Sequence, residues 1–227
     1  GNGTSNVGVM MAIGYDDDYA GSGNAGLLIA DGDAGIVLFD ISTPNSPVLP
    51  DADHAQDRYN TSGTAFDLYV DAANDRVYVA DGTQGLAVVE YNYSAGPPIE
   101  ITWSLQGSVR FDDAIIMGIE QRATGYYELA AGNRGVLIMA VGDPTELANG
   151  DALDSSSGDS DSDGNYVESE YNTQGAGFSV LFKSVGGTNY SIVSDGDNGV
   201  VVLSDSSYDF TKIADYNWIN FGNLVTN

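Results

Sequence analysis

Apolar residues in this chain come in short runs separated by Gly, Asp, Asn and Ser, and the runs recur at a regular distance. Four segments align: IADGDAGIVLF (29–39), VADGTQGLAVV (79–89), LAAGNRGVLIM (129–139) and VSDGDNGVVVL (193–203). Each predicts two strands around a tight turn. Gly32, Gly82, Gly132 and Gly196 fall where the reversal requires positive φ, and Gly35, Gly85, Gly135 and Gly199 start the return strand. Upstream of each pair lies another apolar run: VGVMMAI (7–13), TAFDLYV (64–70), AIIMGIE (114–120) and GFSVLFK (177–183). Downstream lies a more polar one: PVLPDADHA (47–55), IEITWSL (99–105), YVESEYN (166–172) and FTKIADYNW (210–218). No stretch carries a helical period.

Four units of up to four strands predict an all-β fold, a four-bladed β-propeller of roughly 50-residue repeats. The first strand of each unit would line a narrow, filled centre, apolar on both faces, and the fourth would form the solvated rim. A β-sandwich or a solenoid of similar hairpins is the alternative, and units this long exceed most solenoid turns. The whole chain, 1–227, reads as one domain with blades at about 5–58, 59–107, 108–173 and 174–218. Residues 219–227 (INFGNLVTN begins at 219) form a further strand-like tail. Gly32, Gly82 and Gly132 are 50 residues apart, whereas Gly196 follows 64 residues later. The excess coincides with the Ser/Asp stretch 151–164, so an insertion at 150–165 interrupts the third blade.

The string LLIADGDAGIVLFDISTPNSPVL (27–49) resembles the LVIVD repeat, a propeller repeat of prokaryotic surface and secreted proteins with the form YVADG..GL.V.DIS.P..P. Residues 77–91 match its first half and lack the DIS-x-P ending. The third unit has Ala131 at the turn Asp and Gly142-Asp143-Pro144 at the ending. The fourth keeps Asp195-Gly196 and ends in Ser204-Asp205-Ser206. The resemblance implies a propeller on a cell surface or outside the cell, and it implies no catalysis.

Candidate chemistry centres on DSDSDGNYVESE (159–170). Asp159, Asp161 and Asp163 alternate, Gly164 permits the sharp turn, Asn165 offers its backbone carbonyl, and Glu170 closes a twelve-residue loop. Three converging carboxylates and a bidentate Glu suit a hard cation, so Ca2+ is the expected cofactor, with no organic one. The flanks GDALDSSSG and YNTQGAG are not helical, so the ion would clamp a loop rather than open a groove. A solvated Asp/Ser linker is the alternative. Asp16, Asp17 and Asp18 are a possible second ion site or a charged turn. Asp31, Asp81 and Asp195, before the turn glycines, are expected to cap those turns through their side chains.

Composition narrows the function. Against 33 acidic residues stand 7 basic ones, a formal charge of −26. No basic stripe is present to meet nucleic-acid phosphates or anionic lipid. With 42% hydrophobic residues the chain can build a core. It has no cysteine, which removes thiol nucleophiles, thiolate–zinc sites and disulfides. His54 is the single histidine. A carboxylate pair for glycoside hydrolysis is possible wherever acids are this abundant, so no pair stands out and no catalytic residue is expected. No apolar run reaches the roughly 18 residues that suggest a transmembrane helix. The opening GNGTSNV has the look of a processed mature chain. Sequons begin at Asn2, Asn60, Asn92 and Asn189. Tyrosine is frequent, at 14, beside Trp103 and Trp218, which suits sugar stacking, protein contact or packing between blades.

The expectation is an extracellular or cell-surface structural protein that self-assembles into a filament or polymer by strand addition from a terminus. A monomeric glycan- or protein-binding adhesion module is the alternative, and a carboxylate-based hydrolase a distant third.

Overall fold

The structure, a computed structural model, describes residues 11–49, 57–94, 100–111, 113–149, 165–206 and 208–216. Among the described residues, sixteen strands form four antiparallel four-stranded sheets in chain order, a four-bladed β-propeller architecture. Blade 1 holds β1 (Ala12–Asp16), β2 (Gly26–Ala30), β3 (Ile36–Asp40) and β4 (Arg58–Tyr59). Blade 2 holds β5 (Asp67–Asp71), β6 (Arg76–Ala80), β7 (Leu86–Ser94) and β8 (Glu100–Val109). Blade 3 holds β9 (Gly118–Ala123), β10 (Tyr126–Ala130), β11 (Val136–Ala140) and β12 (Tyr166–Tyr171). Blade 4 holds β13 (Ser179–Val185), β14 (Thr188–Ser194), β15 (Val200–Ser206) and β16 (Asp209–Tyr216).

The aligned Gly turns join the second and third strands of each blade. Gly32, Gly82, Gly132 and Gly196 have φ of 57°, 61°, 54° and 54°. Side chains other than Gly adopt that region only at a cost. The turn also stitches blades together. Gly32 exchanges both backbone hydrogen bonds with Ala65, Gly82 with Ile116, and Gly132 with Gly177, all at 2.9–3.2 Å. Each partner lies just before the first strand of the following blade, so one turn closes a hairpin and fixes the next sheet.

Alternation along the strands sends side chains to the two faces of each sheet. Leu28, Ile36 and Leu38 of blade 1 meet Leu68, Val77 and Val79 of blade 2 in one buried cluster. Tyr78, Leu86 and Val88 of blade 2 meet Ile119, Tyr127 and Leu129 of blade 3 in a second. Val136 and Ile138 of blade 3 meet Val180, Val193 and Leu203 of blade 4 in a third. Among the described residues no such cluster joins blade 4 to blade 1. There, Ile13 is 62% exposed, Tyr15 58%, Leu181 42% and Val185 62%. Among the described residues that face of blade 1 is covered at Ile29 and Val37, 8% and 2% exposed, and uncovered at Ile13 and Tyr15.

Of the rim run expected over 47–55, residues 50–55 lie outside the described residues. Val48 makes an isolated bridge to Asp40, and β4 pairs with Ile36 and Val37. Pro47 and Pro50 flank Val48 and lack the N–H that a continuous ladder needs. The first strands are not apolar on both faces, since β9 carries Glu120, Gln121 and Arg122. The tail 219–227 and most of the insertion 150–165 lie outside the described residues.

Candidate functional site

The turn carboxylates are built into the seams. Asp81 is buried, accepting a 2.6 Å bond from the Thr61 hydroxyl and a 2.9 Å bond from Gly63 N–H. Burial pushes its carboxyl above the usual carboxylate range, with those two bonds opposing. Asp195 is buried too and accepts a hydrogen bond from the Thr173 hydroxyl. In blade 3, Phe111 and Ala131, both buried, replace the Thr and Asp. Asp31 faces Arg58 at 3.5 Å. Asp81 and Asp195 brace the polypeptide running into their own blade, and Asp31 meets the last strand of its own. The pair of strings YNTSGTAF (59–66) and YNTQGAGF (171–178) carries both Thr–Asp braces; this second repeat is the signal that the turn pattern alone did not supply.

Of the residues read as a calcium loop, Asp159, Asp161, Asp163 and Gly164 lie outside the described residues. Asn165 is buried; its side chain accepts from Gly142 N–H at 3.0 Å and donates to the Asp143 carbonyl at 2.7 Å. Glu170 sits in β12, where both carboxylate oxygens bind the Arg134 guanidinium, the closer at 2.6 Å. An ion drawing on Glu170 would have to compete with that fork. The run Asp16-Asp17-Asp18 diverges. Asp16 is buried, accepting the Tyr91 hydroxyl at 2.5 Å, Asp17 is exposed, and Asp18 caps the backbone of Gly23. Among the described residues no group of three acidic or histidine side chains converges on a point.

The sequons differ in access. Asn60 and Asn92 are exposed. Asn189 is half-buried at the start of β14, and the Ser191 hydroxyl of its triplet is buried, donating to Glu128 at 2.8 Å. Asn2 lies outside the described residues. A shallow hollow of about 550 Å³ opens among Thr83, Arg110, Asp113, Ile115 and Asn133, on the face where the turns lie. The aromatic residues mostly pack within seams: Tyr78 stacks on Tyr127 at 4.2 Å, and Tyr69 donates to Gln121 at 2.7 Å across the blade 2–blade 3 seam.

A polar cluster that the sequence reading missed lies inside the seam between blades 3 and 4. Arg122 donates to Glu128 at 2.8 Å and pairs with Asp205, all three side chains being at most 4% exposed. Its guanidinium lies 5.0 Å from the ring centres of both Phe182 and Tyr208. One cation faces two acids. Burial, with Asp205 adding to it, raises the Glu128 carboxyl to about 7, while bonds from Ser191 and Arg122 oppose the rise. Its second oxygen is buried without a hydrogen-bond partner.

The remaining candidate is the pair of open end faces. On blade 1, Ile13, Tyr15, Leu27 and Phe39 point away from blade 2. On blade 4, Leu181, Ile192, Val202 and Tyr216 point away from blade 3. The registers place each set on one face of its sheet. Of these, Ile13, Tyr15, Leu181 and Tyr216 are exposed and the rest half-buried, while Ile29 and Val37, on the same face of blade 1, are buried; exposed apolar patches of this kind mark contact sites.

Comparison with known proteins adds the fold. No protein-family profile matches the chain, and no curated protein sequence matches it. It is similar to the β-propeller domain of Cps50 (Swd1) from Myceliophteria thermophila, at 9% identity and a TM-score of 0.56. That match covers 93% of this chain and 60% of that one. It also aligns with dihydro-heme d1 dehydrogenase NirN, at 15% identity and a TM-score of 0.43, over 86% of this chain and 36% of that one. This chain thus spans about three-fifths of the length of the first propeller it matches. The resemblance to the LVIVD repeat finds no support beyond the propeller fold itself. Among the described residues no helix is long and apolar enough to cross a membrane.

Proposed function

We infer that this chain is an extracellular or cell-surface structural protein that assembles with copies of itself. The observation that carries this reading is the pair of open apolar faces at the two ends of the blade series, Ile13 and Tyr15 on one and Leu181 and Val185 on the other. A lone domain that left both in water would forgo burial worth roughly 1.5–3 kcal/mol per large side chain. The charge of −26 favours solubility of the free chain and weakens self-contact at low salt. Assembly is therefore expected to strengthen with ionic strength or with divalent cations. The run Asp159, Asp161 and Asp163 is the place where Ca2+ would act.

Electron microscopy and light scattering of the purified chain, with and without chelator, test this. Regular polymers or discrete oligomers are expected. A monodisperse monomer across salt and calcium concentrations would sink the reading and favour a binding module, with the hollow at Arg110 as its ligand site. Polymers that dissolve in chelator would place the ion at the contact itself.

A further inference from the structure

The three packed seams obey one register, and it predicts what the open faces take. Four backbone bonds align the first strands: Met11 N–H to the Ala30 carbonyl, Phe66 to Ala80, Met117 to Ala130 and Phe178 to Ser194, each 2.9 Å. Counting from there, Gly14, Tyr69, Glu120 and Leu181 are equivalent. So are Ile13, Leu68, Ile119 and Val180, and so are Tyr15, Val70, Gln121 and Phe182.

The equivalent positions meet in the same way at each seam. A Cβ added at Gly14 would run into Leu68 and Val70. Tyr69 reaches Gln121. Arg122, next but one after Glu120, covers the ring of Phe182. The third position of one first strand thus faces the second and fourth of the next, and the fifth covers the fourth. On the open face of blade 4 the third position is Leu181 and the fifth is Lys183, both exposed. On the open face of blade 1 the second and fourth positions are Ile13 and Tyr15. Each end carries one half of an ordinary seam.

We propose that blade 4 of one copy stacks on blade 1 of a second copy in this same register. Leu181 seats between Ile13 and Tyr15 of the neighbour, and the Lys183 ammonium lies over the Tyr15 ring as Arg122 lies over Phe182. Three observations select a second copy as the occupant. The contact continues an interface the chain already makes three times. The turn at Gly196 keeps the φ and internal bonds of the three turns that stitch to a following blade. Charge is complementary, since Lys183 faces an end bearing exposed Asp17. The contact is heterologous, so it either closes a ring of copies or runs on as a filament.

This inference rests on the self-assembly reading and specifies its contact, which differs from strand addition by a terminus. The absence of cysteine makes the test clean. Ile13→Cys and Leu181→Cys are made singly, mixed as full-length chains and oxidised mildly. Mixed disulfide dimers should exceed either homodimer by roughly tenfold, because only the unlike pair meets in the register. In the double variant, covalent multimers are expected. A disulfide within one chain would overturn the proposal by showing that blades 1 and 4 close on each other. Assembly without any cross-link would overturn the seam and leave self-assembly standing. A parent chain that never assembles would remove both. As a second variant, Leu181→Asp with Val185→Asp changes only exposed positions, so its thermal unfolding should match the parent. Its assembly should weaken roughly tenfold or more, since two carboxylates would be buried unpaired; unchanged assembly would contradict the proposal.

Discussion

Glu128 should make the stability of this protein fall as pH rises from about 4.5 to about 7, and Glu128→Gln should remove that fall. In the folded chain its carboxyl titrates at about 7, against 4.5 for the free group. The sign follows from the proton count. Between those two values the folded state holds a proton that the unfolded state has released, so raising pH favours unfolding. The effect is absent below about pH 4.5 and complete above about 7. Ionising Glu128 in the fold therefore costs about 3 kcal/mol, or roughly 6–12 °C in Tm for a chain of this size. Gln keeps an oxygen for Arg122 and Ser191 and cannot ionise, while Asp205 still balances Arg122. Thermal and urea unfolding of parent and variant are to be measured at pH 5, 6, 7 and 8. The difference between them isolates Glu128 from the other acids, which both chains share. The variant should gain on the parent between pH 5 and about 7 and level off by pH 8. Parallel pH profiles would refute the reasoning, because they would mean that Glu128 is charged throughout and fully compensated by Arg122.

Other expectations follow from particular contacts. Gly82→Ala places a side chain at φ 61° with its Cβ 3.1 Å from the Phe66 ring, and it should cost about 1–2 kcal/mol in urea unfolding. Asp81→Ala strands the Thr61 hydroxyl and should cost about 1–3 kcal/mol. Adding Thr61→Phe, which copies the Phe111–Ala131 pair of blade 3, should recover part of that loss; strict additivity of the two changes in a double-mutant cycle would contradict the equivalence of the seams. Arg134→Gln releases the Glu170 carboxylate, so calorimetric titration should find tighter Ca2+ binding than in the parent. Equal affinity would show that Glu170 is not a ligand.

Strand number and order were legible because each blade repeats the same apolar–turn–apolar string, and the turn glycines are obligatory on backbone grounds. Fifteen of the sixteen strands lie in or beside the expected runs. Most of the rim run expected for blade 1 lies outside the described residues, and β4 at Arg58–Tyr59 follows it without an apolar signal of its own. At Asp81 and Asp195 local turn chemistry was expected, and the side chains instead reach 22 residues or fewer back along the chain to a threonine. Such a partner becomes visible in sequence only when YNTSGTAF is set against YNTQGAGF. The cluster of Arg122, Glu128 and Asp205 had no local signature at all. Its members come from β9, β10 and β15, and burial alone gives them their character.

Period determines how many blades there are, whereas the angle between neighbouring blades determines whether four of them meet. That angle is set by side-chain bulk at the seams, where Gly14 against Leu68 and Val70, or Tyr78 stacked on Tyr127, fixes how closely sheets approach. The pattern of Ile13 and Tyr15, alternating with Ala12, Gly14 and Asp16, reads from sequence as a first strand apolar toward one neighbour. It does not say whether that neighbour belongs to the same chain. Leu181 and Val185 pose the same question from the other end. An inner strand and an end strand carry the same pattern, because both are built to be covered, and only exposure in the fold separates them. The outer faces of blades 1 and 4 therefore look like core in the sequence and are partly exposed in the structure, as the proposed contact between identical copies requires.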